Sequence, residues 1–293
     1  PIFNATFRKI FKIFCIIIVV RLKFKKNNFC MTKNFFGVNE EKFIVLKKVC
    51  DKIQNRGGNI MKKFFTAMML ATFLIFSSAS AEKSVSPDDP TGFVILSDVV
   101  PDIIQEIRYY STYNFVGEKI DGYEKPRALM TIEAAQALKK VSDDVMKMGY
   151  RLKVFDAYRP QMAVDHFMRW AESKDTSMKE YFYPKIAKDR IIPEGYVAVK
   201  SGHSRGSTID LTLFDMKTGK EVDMGGTFDY FGELSHPDYT KITKQQLKNR
   251  KILRDAMIKN GFKPLDTEWW HFTLKDEPYP DTYFTFTKLA DEK

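Results

Sequence analysis

SGHSRGSTIDLTLF, residues 201–214, is the stretch on which the fold turns. From Gly206 onward it alternates as a strand does. Ile209, Leu211 and Leu213 fall on one face of an extended chain and Asp210 on the other. A carboxylate in the middle of an apolar strand needs a reason, and metal ligation is a good one. The glycine between His203 and Asp210 allows a tight turn.

Working outward, RLKVFDAYRP (151–160) alternates at Leu152 and Val154, and EWWHFTL (268–274) reads as a final strand. Helical spacing appears between them. Thr131 is placed to cap a helix over about 132–148, with Ala134, Leu138, Val141, Val145 and Met148 on one face and Gly149 ending it. Pro160 opens another helix, carrying Val164, Phe167, Met168 and Ala171. Thr243 and Gln246 have capping-box spacing before a helix that ends near Asn260-Gly261. GFVILSDVVPDIIQEIRYY (92–110) reads as short strands or extended segments. Strands and helices mix without a regular βαβ rhythm, which predicts a single α+β domain.

The chain has 293 residues and a formal net charge of +10. That charge would suggest nucleic acid or a membrane surface as partner. Its distribution removes the motive. Residues 1–60 hold 13 Lys and Arg against 3 Asp and Glu, and the remaining residues carry 34 of each sign. The first sixty also contain Cys15, Cys30 and Cys50, the only cysteines. Their apolar run FKIFCIIIVV is too short to span a membrane. At Met61 begins MKKFFTAMMLATFLIFSSASA, with a basic start, an apolar core and an Ala79-Ser80-Ala81 end. These are the three parts of a secretory signal peptide. The expected organisation is a leader at 1–60 that is translated DNA or a non-native extension, a signal peptide at 61–81, and one domain at 82–293. That domain is expected to be periplasmic or secreted, without a stable membrane anchor and without disulfides.

His203 and Asp210 could be completed as a metal site by His271 of EWWHF. Two histidines and one aspartate leave a fourth tetrahedral position open, as catalytic zinc sites do. Glu268 is the nearest candidate base. One geometric objection stands. Residues three apart on an ideal strand face opposite sides, so Glu268 and His271 converge only through a bulge, a strong twist or a turn.

Together SGHSRGSTIDLTL, EWWHF and DAYRPQ resemble the zinc D-alanyl-D-alanine dipeptidases, the VanX-like branch of the zinc D,D-peptidases. The likeness extends to YYSTYNFVG, DGYE, DMGGTFDYFGELSH and DEPYPDTYF, and covers nearly all of residues 95–287 in order. It implies the zinc D,D-peptidase fold shared with the hedgehog signalling domain: a central, mostly antiparallel sheet with flanking helices. It further implies one Zn²⁺ per chain on His203, Asp210 and His271, with Glu268 as general base. Arg159 would stabilise the oxyanion, a role that suits a fixed, permanently charged fork of donors. Tyr109, Ser201 and Asp229 match positions that hold the substrate, Asp229 facing the free ammonium. RYYST leaves the choice between Tyr109 and Tyr110 open. His166 and His236 receive no ligand role. The expected partner is a small dipeptide, with no nucleic acid; a homo-oligomer stays open. Two other readings remain: a D,D-carboxypeptidase acting on peptidoglycan stems, and a zinc-holding module without turnover.

Overall fold

A computed structural model describes residues 85–289, which fall within one compact unit, Ser84–Lys293. The expected leader and signal peptide lie outside the described residues.

The elements in chain order are β1 (Phe93–Ile95), α1 (Leu96–Val99), β2 (Ile104–Gln105), β3 (Leu129–Thr131), α2 (Ile132–Met146) and β4 (Tyr150–Asp156). They continue with α3 (Gln161–Glu172), α4 (Lys179–Phe182), β5 (Thr208–Asp215) and β6 (Lys220–Glu221). The last three are α5 (Lys244–Lys259), β7 (Phe262–Leu265) and β8 (Glu268–Leu274). Six strands form one sheet in the order β2-β4-β5-β8-β7, with β6 pairing the end of β5. Only β2 runs parallel to its neighbour, so the sheet is mostly antiparallel, as expected. β1 and β3 make a separate two-stranded ribbon.

The core follows from the alternation. Leu152 and Val154 of β4 sit beside Leu213 and Leu211 of β5, and all four are fully buried. Leu138, Val141 and Val145 of α2 and Leu253 and Met257 of α5 belong to the same apolar cluster. α2 packs on β4 and α5 on β7, with the two helices touching each other. The opposite face of β5 is not open to water either: Thr208, Asp210 and Thr212 are buried beside their apolar neighbours. The alternation on β5 therefore separates apolar from polar, not inside from outside.

Two helix starts differ in how they are held. The capping box at α5 forms: Gln246 N–H donates to Thr243 Oγ1 at 3.2 Å and Thr243 N–H to Gln246 Oε1 at 2.8 Å. Thr131 precedes α2 but makes no side-chain cap; its hydroxyl pairs with Ser207 Oγ at 2.8 Å and ties β3 to the start of β5. Met148, expected on the buried face of α2, lies past the helix end and is half exposed. The segment 92–110 is only partly extended, because α1 and a 3-10 turn at Arg108–Tyr110 interrupt β1 and β2.

Candidate active site

Two bulges in otherwise regular strands and one 3-10 turn assemble the site. On β4, Val154 pairs with Leu211 but Asp156 pairs with Asp210, so Phe155 is an extra residue. This one-residue bulge turns Asp156 off the apolar face of Leu152 and Val154 and onto the face of Asp210. On β8, Phe272 pairs with Pro264 but Glu268 pairs with Leu265, so Trp269, Trp270 and His271 have no partners on β7. The bulge removes the objection of ideal strand geometry: Glu268 Oε2 and His271 Nδ1 stand 3.5 Å apart. On the other side His271 pairs directly with Asp210 of β5. The 3-10 turn Gly202–Arg205 carries His203 and ends at Gly206 with φ 79°. A Cβ at Gly206 would run into the ring of Phe93, so only glycine fits.

These elements bring His203 Nε2 within 3.2 Å of Asp210 Oδ2 and His271 Nδ1 within 3.1 Å of Asp210 Oδ1. One ligand atom from each of the three residues lies within 4.8 Å of the others, a group that could hold a metal ion. The fit is chemical as well as geometric. His203 Nδ1 lies 2.7 Å from the Ala157 carbonyl; donating its proton there leaves the Nε2 lone pair aimed at Asp210 and His271. Asp210 Oδ1 is a buried oxygen whose one close polar neighbour, His271 Nδ1, lies outside good hydrogen-bond geometry. Four carboxyl groups (Asp156, Asp210, Asp229 and Glu268) share this region with one guanidinium, Arg159, a balance that favours a further cation.

Arg159 is fixed from several directions. Its Nε and Nη2 donate to Asp156 Oδ2 at 3.0 and 2.8 Å, and Nη1 lies 3.5 Å from Ser201 Oγ. The guanidinium stands 5.0 Å from the Tyr109 ring centre and 5.1 Å from that of Phe167, both cation–π distances. Tyr123 donates to the other oxygen of Asp156 at 2.6 Å. Ser201 caps the ligand turn, accepting from His203 N–H at 3.2 Å. Tyr109 is buried and donates to Asp229 Oδ2 at 2.9 Å, whereas Tyr110 is half buried beneath Lys119. Asp229 has φ 61°, the only positive value among described residues other than glycine.

The electrostatics follow the burial. Burial works to raise the Asp210 carboxyl, but the neighbouring imidazoles of His203 and His271 outweigh it and hold it below the usual range. Burial raises the Glu268 carboxyl despite the opposing charge of His271, while a third of its side chain stays open. Burial, reinforced by the charge of Asp210, pushes the Asp229 carboxyl well up. A cation placed beside it would draw it back to the carboxylate form.

All eight site residues singled out in the sequence gather in this region. Asp156, Tyr123 and the Ala157 carbonyl were not singled out; their only signal was membership of DAYRP and DGYE. His166 lies elsewhere, between Glu118 and Asp121, and the His236 main-chain carbonyl accepts from Arg250. Trp269 and Trp270 are core residues, packed nearly perpendicular with ring centres 5.3 Å apart.

A family model, Peptidase M15, described as D-ala-D-ala dipeptidase, matches residues 89–289. The D-alanyl-D-alanine dipeptidase of Enterococcus faecalis (strain ATCC 700802 / V583) is 44% identical over 196 residues, 67% of this chain and 97% of that protein. That of Enterococcus faecium is 43% identical over the same shares. The Escherichia coli (strain K12) protein of the same name is 36% identical, over 64% of this chain and 86% of its own length. The chain belongs to the Peptidase M15, D-Ala-D-Ala dipeptidase, family.

Proposed function

We propose that the chain is a zinc-dependent dipeptidase that hydrolyses D-Ala-D-Ala to two molecules of D-alanine. The observation that carries the reading is the convergence of His203, Asp210 and His271 with Glu268 only 3.5 Å from His271. His203 Nε2, His271 Nδ1 and Asp210 would hold the ion. When bound, zinc supplies Lewis-acid polarisation of a carbonyl oxygen and makes water a stronger acid.

The protein's own groups do the rest. Glu268 is open on one side and tuned upward by burial, so it accepts a proton from the attacking water readily. Water oxygen bonds to the peptide carbonyl carbon, and the negative charge that develops on the carbonyl oxygen is met by Arg159. The fork is already aligned by Asp156, so little reorganisation is needed. Glu268 then gives its proton to the departing nitrogen as the C–N bond breaks. Asp229, with Tyr109 donating to it, takes the ammonium end of the substrate. Ser201 accepts from His203 N–H and so has its own proton for a substrate oxygen. The buried carboxyl at the amine end is what favours a free dipeptide over an N-blocked stem peptide. Residues 61–81 would direct export, so the pool served is dipeptide from wall turnover or nutrient outside the cytoplasm.

The test is release of free alanine, D or L according to the substrate, by residues 82–293 from D-Ala-D-Ala, its N-acetylated form and L-Ala-L-Ala, with and without chelator. The expected result is cleavage of free D-Ala-D-Ala alone, lost on chelation and restored by zinc. Cleavage of the N-acetylated form would move the protein to the carboxypeptidase reading. Bound zinc without turnover would leave a metal-holding module.

A further inference from the structure

We infer that Arg250 is a positioning residue for the amine end of the site: from α5 it clamps the loop that presents Asp229. The inference rests on the role proposed above for Asp229. Arg250 is 3% exposed and makes no ion pair among the described residues. All of its nitrogens turn instead to backbone carbonyls. Nε donates to Met224 at 2.6 Å, Nη1 to His236 at 2.8 Å and Nη2 to Leu234 at 2.9 Å.

Those three carbonyls bracket Asp229, one before it and two after. Neighbours on α5 extend the grip. Asn249 Nδ2 donates to the Asp223 carbonyl and Gln246 Nε2 to Asp223 Oδ2, each at 2.8 Å. A buried guanidinium in direct contact with no carboxylate is costly, and three carbonyl dipoles, with the nearby charge of Asp223, offset that cost. The three bonds use the fixed directions of a planar fork; a lysine ammonium, a compact point charge on a flexible stem, does not reproduce them.

The loop needs such a clamp because Asp229 sits at φ 61°. A side-chain-bearing residue stays in that region only when its surroundings over-determine it. Freed from Arg250, the backbone would relax toward negative φ and swing the carboxyl away from the Tyr109 hydroxyl. The fault would then appear in capture of the amine and not in the chemical step.

The experiment uses the zinc-loaded full chain, its Arg250→Lys variant, and both again with Asp229→Asn. Arg250→Lys keeps a positive charge near the Trp269 ring, now 5.7 Å from the guanidinium, and removes the fork. With Asp229 present, KM for D-Ala-D-Ala should rise about tenfold while kcat stays within about threefold. With Asp229→Asn in place, Arg250→Lys should raise KM no further. Equal losses in both backgrounds would overturn the inference, since they mean a general structural role. Amide hydrogen exchange of residues 224–236 should quicken about tenfold in Arg250→Lys, with β5 and β8 unchanged. Unchanged exchange in that loop would also overturn it. The exchange arm needs no turnover. A wild-type protein that fails to cleave D-Ala-D-Ala would therefore sink the dipeptidase reading, while exchange still decides whether Arg250 holds the loop. If Arg250→Lys does not fold, Asn249→Ala removes the Asp223 tie and is expected to give the same pattern, smaller; a loop unaffected by it counts against the clamp.

Discussion

Asp156→Asn keeps the shape of a fully buried side chain and removes its charge. Asp156 Oδ2 accepts both Arg159 bonds, at 3.0 and 2.8 Å, and Oδ1 accepts from Tyr123. An asparagine can turn its carbonyl oxygen toward Arg159 and its amide toward Tyr123, whose hydroxyl then accepts. The number of hydrogen bonds survives; their ionic character does not. Two charge-assisted bonds become ordinary ones, a loss of about 1–3 kcal/mol after the relief of a buried carboxylate is counted. For a domain of about 200 residues that lowers Tm by roughly 3–10 °C. The larger effect is on catalysis. Arg159 Nη2 already stands 3.8 Å from Asp210 Oδ2, and without Asp156 that carboxylate is its nearest ionic partner. A guanidinium drawn about 1 Å toward Asp210 no longer faces the developing oxyanion, and kcat should fall about 10²-fold. Steady-state kinetics on D-Ala-D-Ala with a parallel thermal melt measure both. A variant with kcat within threefold of wild type and an unchanged Tm would refute the argument that Asp156 aligns Arg159.

Glu268→Gln should cut kcat by about 10²–10⁴-fold while zinc stays bound, because the amide cannot take the proton; near-normal turnover would reject Glu268 as base. His271→Ala should lose zinc altogether, read as metal content after dialysis, and wild-type protein should lose and regain activity with chelator and zinc. Gly206→Ala should destabilise by about 3 kcal/mol or more, since it combines a forbidden φ with a collision against Phe93; a denaturant midpoint equal to wild type would contradict the close approach. Cell fractionation should find the peptidase outside the cytoplasm and beginning near Glu82, whereas a product retaining residues 1–81 inside the cell would reject the export reading.

The regular parts of the molecule were legible because they repeat. Ile209, Leu211 and Leu213 announce their strand by spacing alone, and Thr243 with Gln246 announces a helix start by local chemistry. The site depends on departures from regularity, and these are decided by neighbouring strands. Nothing in RLKVFD says that Phe155 will be skipped, because that register is set by β5 pairing on one side and Asp156 reaching Tyr123 and Arg159 on the other. Nothing in EWWHF says that three residues will find no partner on β7. Motif resemblance could supply the residues without the bulges that unite them. Asp229 is a similar case: its left-handed backbone is imposed from a helix that follows it in the chain. Thr131 shows the reverse error, a good local cap candidate whose hydroxyl is taken by Ser207, 76 residues away.

The spacing of the three candidate ligands has a consequence for durability. His203 and His271 are 68 residues apart in sequence, yet their ring nitrogens approach to 3.3 Å. An ion held between them would close a loop as long as those that disulfides close in secreted proteins, and by the same entropy reckoning would constrain the unfolded chain by about 4 kcal/mol. No cysteine occurs after Cys50, so the domain has no covalent staple of its own. The cofactor would then serve a second purpose, as a removable rivet whose loss exposes the chain to degradation as well as silencing it.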